Sequence, residues 1–169
     1  MIAAMCLCAS DLAAFMFQPR LTALPDNPCE LLTQQEMATI TEVEITSVQR
    51  VPSIGELAEA QGQHRQPDAG IVCVYSTSSP MQSIAVVVPR REQRTAEAYW
   101  SDRQEYFQTF GRSARAITDV GRDAWIGGGA TLHVLLPNNE PFTISTQHPQ
   151  FSTSAALLSM IGEAIAARF

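Results

Sequence analysis

The chain has 169 residues, of which 46% are hydrophobic and only 17% are charged, and its formal net charge is −6. This length fits a single domain that can bury a substantial apolar core. All 11 basic residues are arginines, and acidic residues outnumber them. Nucleic-acid binding requires a basic face, so this acidic balance, without a run of basic and aromatic residues, argues against nucleic acid as a partner.

The first 17 residues, "MIAAMCLCASDLAAFMF", form an apolar segment that only Ser10 and Asp11 interrupt. As a helix it would span about 25 Å, short of the ~30 Å hydrocarbon core of a bilayer. We therefore expect it to lie against a membrane surface or a partner protein, the alternative being that it folds onto its own domain. The residues expected to make this contact are Ile2, Met5, Leu7, Leu12, Phe15, Met16 and Phe17.

A loose lipobox, "AAMC", ends at Cys6, which makes Cys6 a possible site of lipid attachment. No positive charge precedes Arg20, although a secretory signal ordinarily begins with one. Residues 18–27 read as a proline-rich linker, because prolines favour extended backbone. We expect a single domain to follow over residues 28–169.

Two helix-start signals open this domain. Asn27 precedes Pro28 in the arrangement of a cap and a first helical residue, and Thr33 with Glu36 has the spacing of a capping box. These signals predict a helical turn over 28–32 and a helix over 34–40.

The rest of the chain alternates runs of strand type with amphipathic segments. Period-two or β-branched runs predict strands, and apolar residues at helical spacing predict helices. Because the strands come in adjacent runs, we expect an α+β fold: one antiparallel β-sheet with helices packed mainly on one face. The predicted strands are 42–51, 71–77, 83–89, a short strand before Gly121, one around 124–126, 131–137 and 141–147, and the predicted helices are 53–62, 94–110 and 153–168.

The sequence carries no recognisable motif for nucleotide, metal or acyl-transfer chemistry. The "GGG" at 127–129 lacks the spacing of a dinucleotide-binding loop, and C-x-x-C, H-x-x-x-H and G-x-S-x-G are all missing. His133 lies within a predicted strand, where a hydrogen-bonded sheet histidine is expected. We therefore predict no catalytic, cofactor-binding or metal-ligating residues.

Cys29 is the residue that most affects this interpretation. It would lie at the start of a short helix, where the dipole lowers the pKa of a thiol, although Glu30 beside it opposes that effect. A disulfide with Cys73 would close a long loop and contribute about 4 kcal/mol in the chain-entropy model. Two separate buried thiols and a reactive thiolate remain open alternatives to this disulfide.

Several of these stretches occur together in an order that resembles a known group. The stretches follow one another in the order "NPCELLTQQE" at 27–36, "CVY" at 73–75, "VGRDAW" at 120–125, "TLHVLL" at 131–136 and an alanine-rich C-terminal helix. This pattern is similar to a broad group of bacterial exported or lipid-anchored domains of unknown function, over residues 28 to about 168. The resemblance implies an extracytoplasmic compartment and a disulfide between Cys29 and Cys73, and it implies no catalytic residues.

These observations favour a non-enzymatic accessory or scaffold subunit of a bacterial membrane complex. Such a subunit would lie on the periplasmic or extracellular side, and a respiratory or photosynthetic assembly is one hypothetical host. A ligand-binding or sensor lipoprotein is the second expectation, with a small-molecule pocket near Trp100, Tyr106 and Trp125. An enzyme that uses Cys29 or His133 is the third.

Overall fold

A computed structural model describes most of the predicted domain. The apolar segment 1–17, Cys6 and the predicted helix 53–62 lie outside the described residues, so the predictions made for them stay predictions. The described residues are 20–52, 70–78, 83–89, 95–110, 115–127, 131–146 and 155–169.

The described strands form one sheet, in which every pair of neighbours is antiparallel. The order across the sheet is β1-β2-β3-β7-β6-β5-β4. The central contact, β3 with β7, therefore joins two groups of strands that are far apart in sequence. The strands are β1 Ile45–Val51, β2 Gly70–Thr77, β3 Ser83–Pro89, β4 Arg115–Ala116, β5 Asp123–Gly127, β6 Thr131–Leu135 and β7 Pro141–Thr146.

Three α-helices and one 3-10 helix accompany the described part of the sheet. The two predicted helix starts are present. The Asn27 side chain accepts from the Cys29 amide before Pro28, and Thr33 and Glu36 form a reciprocal capping box. The elements are the 3-10 helix Pro28–Glu30, α1 Gln34–Thr41, α2 Ala96–Phe110 and α3 Ala155–Ala166.

One face of the sheet, here called face 1, packs against the 3-10 helix, α1 and α3. Because side chains alternate along a strand, register pairs such as Cys73 with Val86, and Leu132 with Ile144, share this face. These four residues are fully buried. Gly162 lets α3 approach closely, since a Cβ there would lie 2.8 Å from the Leu132 side chain.

The opposite face, face 2, carries the alternate residues of the same strands, including Asp123, His133 and Thr143. Helix α2 contacts this face, because the Gln104 amide donates to the Asp123 carboxylate at 3.5 Å. The mixed α+β fold with a single antiparallel sheet is thus as predicted. Packing of the helices mainly on one face is not established, since α2 contacts the face opposite to α1 and α3.

Two boundaries differ from those predicted. The strand expected from residue 42 begins at Ile45, because Glu42 adopts a left-handed conformation with φ 55° and ends α1. The predicted linker is also partly folded, since Leu24 is only 7% exposed and belongs to the core. Tight turns at non-glycine residues carry no strong sequence signal, which explains the first difference.

Candidate functional site

The first candidate site is the junction at which the N-terminal linker enters the domain. Cys29 follows the first residue of the 3-10 helix, and it is bonded to Cys73 of β2 across a sequence separation of 44 residues. The Cα atoms of the two cysteines are 5.1 Å apart, within the usual range for a disulfide. Cys73 is fully buried, so the bond attaches the start of the domain to the second strand of the sheet.

The C-terminal end of the chain reinforces this junction. The guanidinium of Arg168 donates to the carbonyl oxygens of Leu31 at 2.5 Å and Glu30 at 3.1 Å. The carbonyl of Arg168 accepts from the Leu21 amide at 2.6 Å. The linker is held further by Glu140, whose carboxylate accepts from the Leu24 amide at 2.5 Å.

Buried polar groups lie beside the disulfide on face 1. Tyr75, two residues after Cys73, donates its hydroxyl proton to the Leu32 carbonyl at 2.7 Å. Burial raises the pKa of Tyr75 well above its usual value, and the nearby Glu36 carboxylate adds to that shift. Glu36 Oε1 and Arg168 Nε are buried and find no hydrogen-bond partner in the part of the chain that the structure describes.

The structure bears differently on the residues that the sequence analysis singled out. It joins Cys29 and Cys73 at disulfide distance, so the reactive thiolate and separate-thiol alternatives do not describe this conformation. Trp125 lies on face 2 of the sheet, and Trp100 belongs to α2, the helix that contacts this face. The Tyr106 side chain is not among those that the structure describes. The predicted membrane- or partner-binding segment, residues 1–17, lies outside the described residues, and so does Cys6 within it.

A second candidate site lies on face 2. Trp125 pairs in register with His133, and His133 pairs with Thr143, so these three side chains form a row across β5, β6 and β7. His133 and Thr143 are 8% and 7% exposed, and Thr143 Oγ1 lies 3.2 Å from His133 Nδ1. We call Trp125, His133 and Thr143 the polar row.

The polar row is more accessible at one end than at the other. Asp123 lies two residues before Trp125 on the same face, and both are half-buried, as is Gln104 of α2. Trp100 precedes Gln104 by one helical turn, so the two side chains lie on the same side of α2. Since Trp100 is only 7% exposed, this side of α2 faces the protein interior.

Sequence reasoning found only part of this second site. It named the two tryptophans and His133, but it did not connect Asp123, Gln104 or Thr143 with them. Alternation places Asp123 and Trp125 on one face of β5. Only the register between strands brings Thr143 next to His133, and that register is not readable from one sequence.

An open groove lies near the end of α3 and the bend before β5. It has a volume of about 460 Å³. Its walls combine two exposed acidic side chains with small residues, and none of the polar-row residues lines it. The lining residues are Asp119, Gly121, Pro137, Glu163, Ala166 and Ala167.

The comparisons with known proteins do not assign the chain to a family. No family model, no curated protein and no solved structure matches it. Within the described residues, no group of three or more His, Cys, Asp or Glu side chains is placed to hold a metal ion. No helix among those residues is both long enough and apolar enough to pass through a bilayer.

Proposed function

We propose that this chain is a non-enzymatic extracytoplasmic domain that its apolar N-terminal segment holds at a bacterial membrane. In this role it serves as an accessory or scaffold subunit of a membrane-associated complex. The observation that carries the proposal is the reinforced junction between the linker and the domain, where the Cys29–Cys73 disulfide lies. Disulfides persist in oxidising compartments, which favours the periplasmic or extracellular side.

The geometry of the junction suits a tethered domain. Residues that lie a few positions after the apolar segment are tied to three distant parts of the chain: β2, the β6–β7 turn and the C-terminal residues. The Leu21 amide donates a hydrogen bond to the Arg168 carbonyl, and the Leu24 amide donates one to the Glu140 carboxylate. Cys29 is joined covalently to Cys73.

A flotation experiment tests the membrane contact. Purified full-length chain is mixed with vesicles of phosphatidylcholine and phosphatidylglycerol and centrifuged through a density gradient. We expect the protein to float with the vesicles, and the variant Leu7→Asp/Leu12→Asp to remain at the bottom, because two charges in the apolar segment oppose its insertion. Leu7→Met/Leu12→Met is the matched control and should float like the original chain.

The accessory role has its own test, which is native purification. The tagged full-length chain is extracted from the membranes of its own cells in mild detergent, and the co-purifying subunits are identified by mass spectrometry. We expect a stoichiometric membrane-protein partner that is lost with Leu7→Asp/Leu12→Asp. A full-length chain that stays in the soluble fraction, or a Cys29 thiol that alkylates without reductant, would contradict the proposal.

A further inference from the structure

The outer side of α3 carries a stripe of residues that continues into the open groove. Four exposed residues lie along it at helical spacing: Ala156, Met160, Glu163 and Ala167. We call them the α3 stripe. Met160 is 49% exposed, and no other large hydrophobic side chain among the described residues is as open to solvent. Glu163 and Ala167 also line the groove, so the α3 stripe and the groove form one continuous surface.

The N-terminal part of the chain joins the domain beside this surface. The Leu21 amide donates to the carbonyl of Arg168 at 2.6 Å, and Arg168 directly follows the groove residue Ala167. Asn138, in the turn that forms another wall of the groove, donates its side-chain amide to the Thr22 carbonyl at 3.2 Å. The residues that precede Leu21 therefore begin next to the groove.

Covalent reach brings the end of the apolar segment within range of Met160. Phe17 is four residues before Leu21, so the Cα atoms of these two residues are at most about 14 Å apart. Met160 is seven residues before Ala167, which is about 10 Å along the helix axis. The proline-rich linker between them is expected to be extended, so Phe17 can contact Met160 without any rearrangement of the domain.

The charges of the linker and the groove are complementary. Arg20 is exposed and positively charged, and it directly precedes Leu21 at the groove. The charged residues that line the groove, Asp119 and Glu163, are both acidic and exposed. An anionic lipid headgroup would be repelled by these two carboxylates, whereas an apolar segment that ends in an arginine matches both the charge and the apolar walls.

We propose that this surface binds the end of the chain's own apolar segment, with Phe17 against Met160 and Arg20 beside Glu163. Burial of the aromatic ring against the methionine drives the contact, and the groove carboxylates set its direction. The inference goes beyond the accessory role and does not depend on it. It concerns how the apolar segment leaves the domain, whether or not residues 1–14 contact a membrane.

Photo-crosslinking tests the contact in the full-length chain. The chain carries p-benzoylphenylalanine in place of Phe17 and is irradiated in dilute, detergent-free buffer, and the cross-linked peptides are mapped by mass spectrometry. We expect an intramolecular cross-link to residues 160–167 whose yield does not change on dilution. Since the sample contains no vesicles, a chain that fails to float with membranes can still give this cross-link.

Matched variants on α3 locate the contact. Met160→Asp should lower the cross-link yield by roughly tenfold, because the ring would be buried against a charge. Ala156→Asp makes the same kind of change on the α3 stripe, about 16 Å from Ala167 and beyond the span from Leu21 to Phe17. It should leave the yield unchanged. Both positions are exposed, so neither change is expected to disturb the core.

A charge exchange tests the role of Arg20. Arg20→Glu and Glu163→Arg should each lower the yield, and the double variant should recover part of it. The inference is overturned if no cross-link falls within 160–167, if Met160→Asp and Ala156→Asp lower the yield equally, or if the double variant recovers nothing. A cross-link that joins two chains and increases with concentration also overturns it, because the surface would then bind a second copy.

Discussion

At the scale of single residues, Tyr75 connects burial to the pH dependence of stability. It is fully buried, its hydroxyl donates to the Leu32 carbonyl, and burial raises its pKa in the folded protein above the value of about 10 expected for the unfolded chain. Above pH 10 the unfolded state therefore binds fewer protons than the folded state, and the free energy of unfolding must fall as the pH rises. Below pH 10 this contribution to stability is fully present.

The prediction is tested with Tyr75→Phe, which keeps the ring and removes the ionisable hydroxyl. We expect the variant to lose about 1–2 kcal/mol at pH 7, since the buried Leu32 carbonyl loses its partner. Between pH 9 and 11 its stability should fall less steeply than that of the original chain, as measured by urea denaturation at each pH. Parallel pH profiles for the two proteins would show that Tyr75 does not titrate as argued.

Residue-scale predictions from sequence succeeded where the determining contacts are local. The capping box of Thr33 and Glu36 was predictable because its two partners are three residues apart. The left-handed Glu42 was not, because no glycine or asparagine marks that position. The contacts of Arg168 with Leu31 and of Glu140 with Leu24 join residues more than 100 positions apart, so a single sequence does not reveal them.

At the scale of elements, the bend between β4 and β5 depends on Gly121. This residue has φ 61°, and a Cβ on it would lie 2.6 Å from the Leu135 carbonyl oxygen, which already accepts from the Arg122 amide. Gly121→Ala combines an unfavourable backbone conformation with a clash against backbone. We expect it to lower the free energy of unfolding by about 1–3 kcal/mol or more in urea denaturation.

Asp119 offers the matched control within the same bend. It also has a positive φ, 73°, but glycine adopts that conformation without strain. Asp119→Gly is an exposed change and should alter the free energy of unfolding by less than about 0.5 kcal/mol. Equal losses for Gly121→Ala and Asp119→Gly would mean that the bend responds to any substitution and that the contact with Leu135 is unimportant.

The described elements themselves were largely predictable, whereas their arrangement was not. Runs such as "IVCVYST" and "SIAVVVP" identified β2 and β3, because alternation and β-branched composition are local signals. The pairing of β3 with β7 joins residues about 60 positions apart and depends on packing against α3 and the 3-10 helix. The polar row depends on the same long-range register, which is why the sequence indicated Trp125 and His133 but not their connection to Thr143.

At the scale of the whole molecule, the described parts of both ends of the chain converge on the 3-10 helix. Its start is bonded through Cys29 to β2, and its end is held by Arg168 from beyond α3. The linker that precedes it bonds to the Arg168 carbonyl. The Cys29–Cys73 disulfide therefore constrains distant parts of the fold. We expect its loss to weaken the attachment of the linker and to lower the stability of the sheet.

Reduction of the disulfide should consequently cost about 4 kcal/mol of unfolding free energy, the chain-entropy value for a loop of this length. The double variant Cys29→Ala/Cys73→Ala should show the same loss, and reductant should change its stability no further, which controls for effects on Cys6 and Cys8. Hydrogen exchange should show faster exchange at Leu21, Leu24 and Leu31 in the double variant than in the original chain, since the junction loses its covalent hold. A loss below about 1 kcal/mol, or unchanged exchange at these amides, would mean that the hydrogen bonds of Arg168 and Glu140 hold the junction without the disulfide.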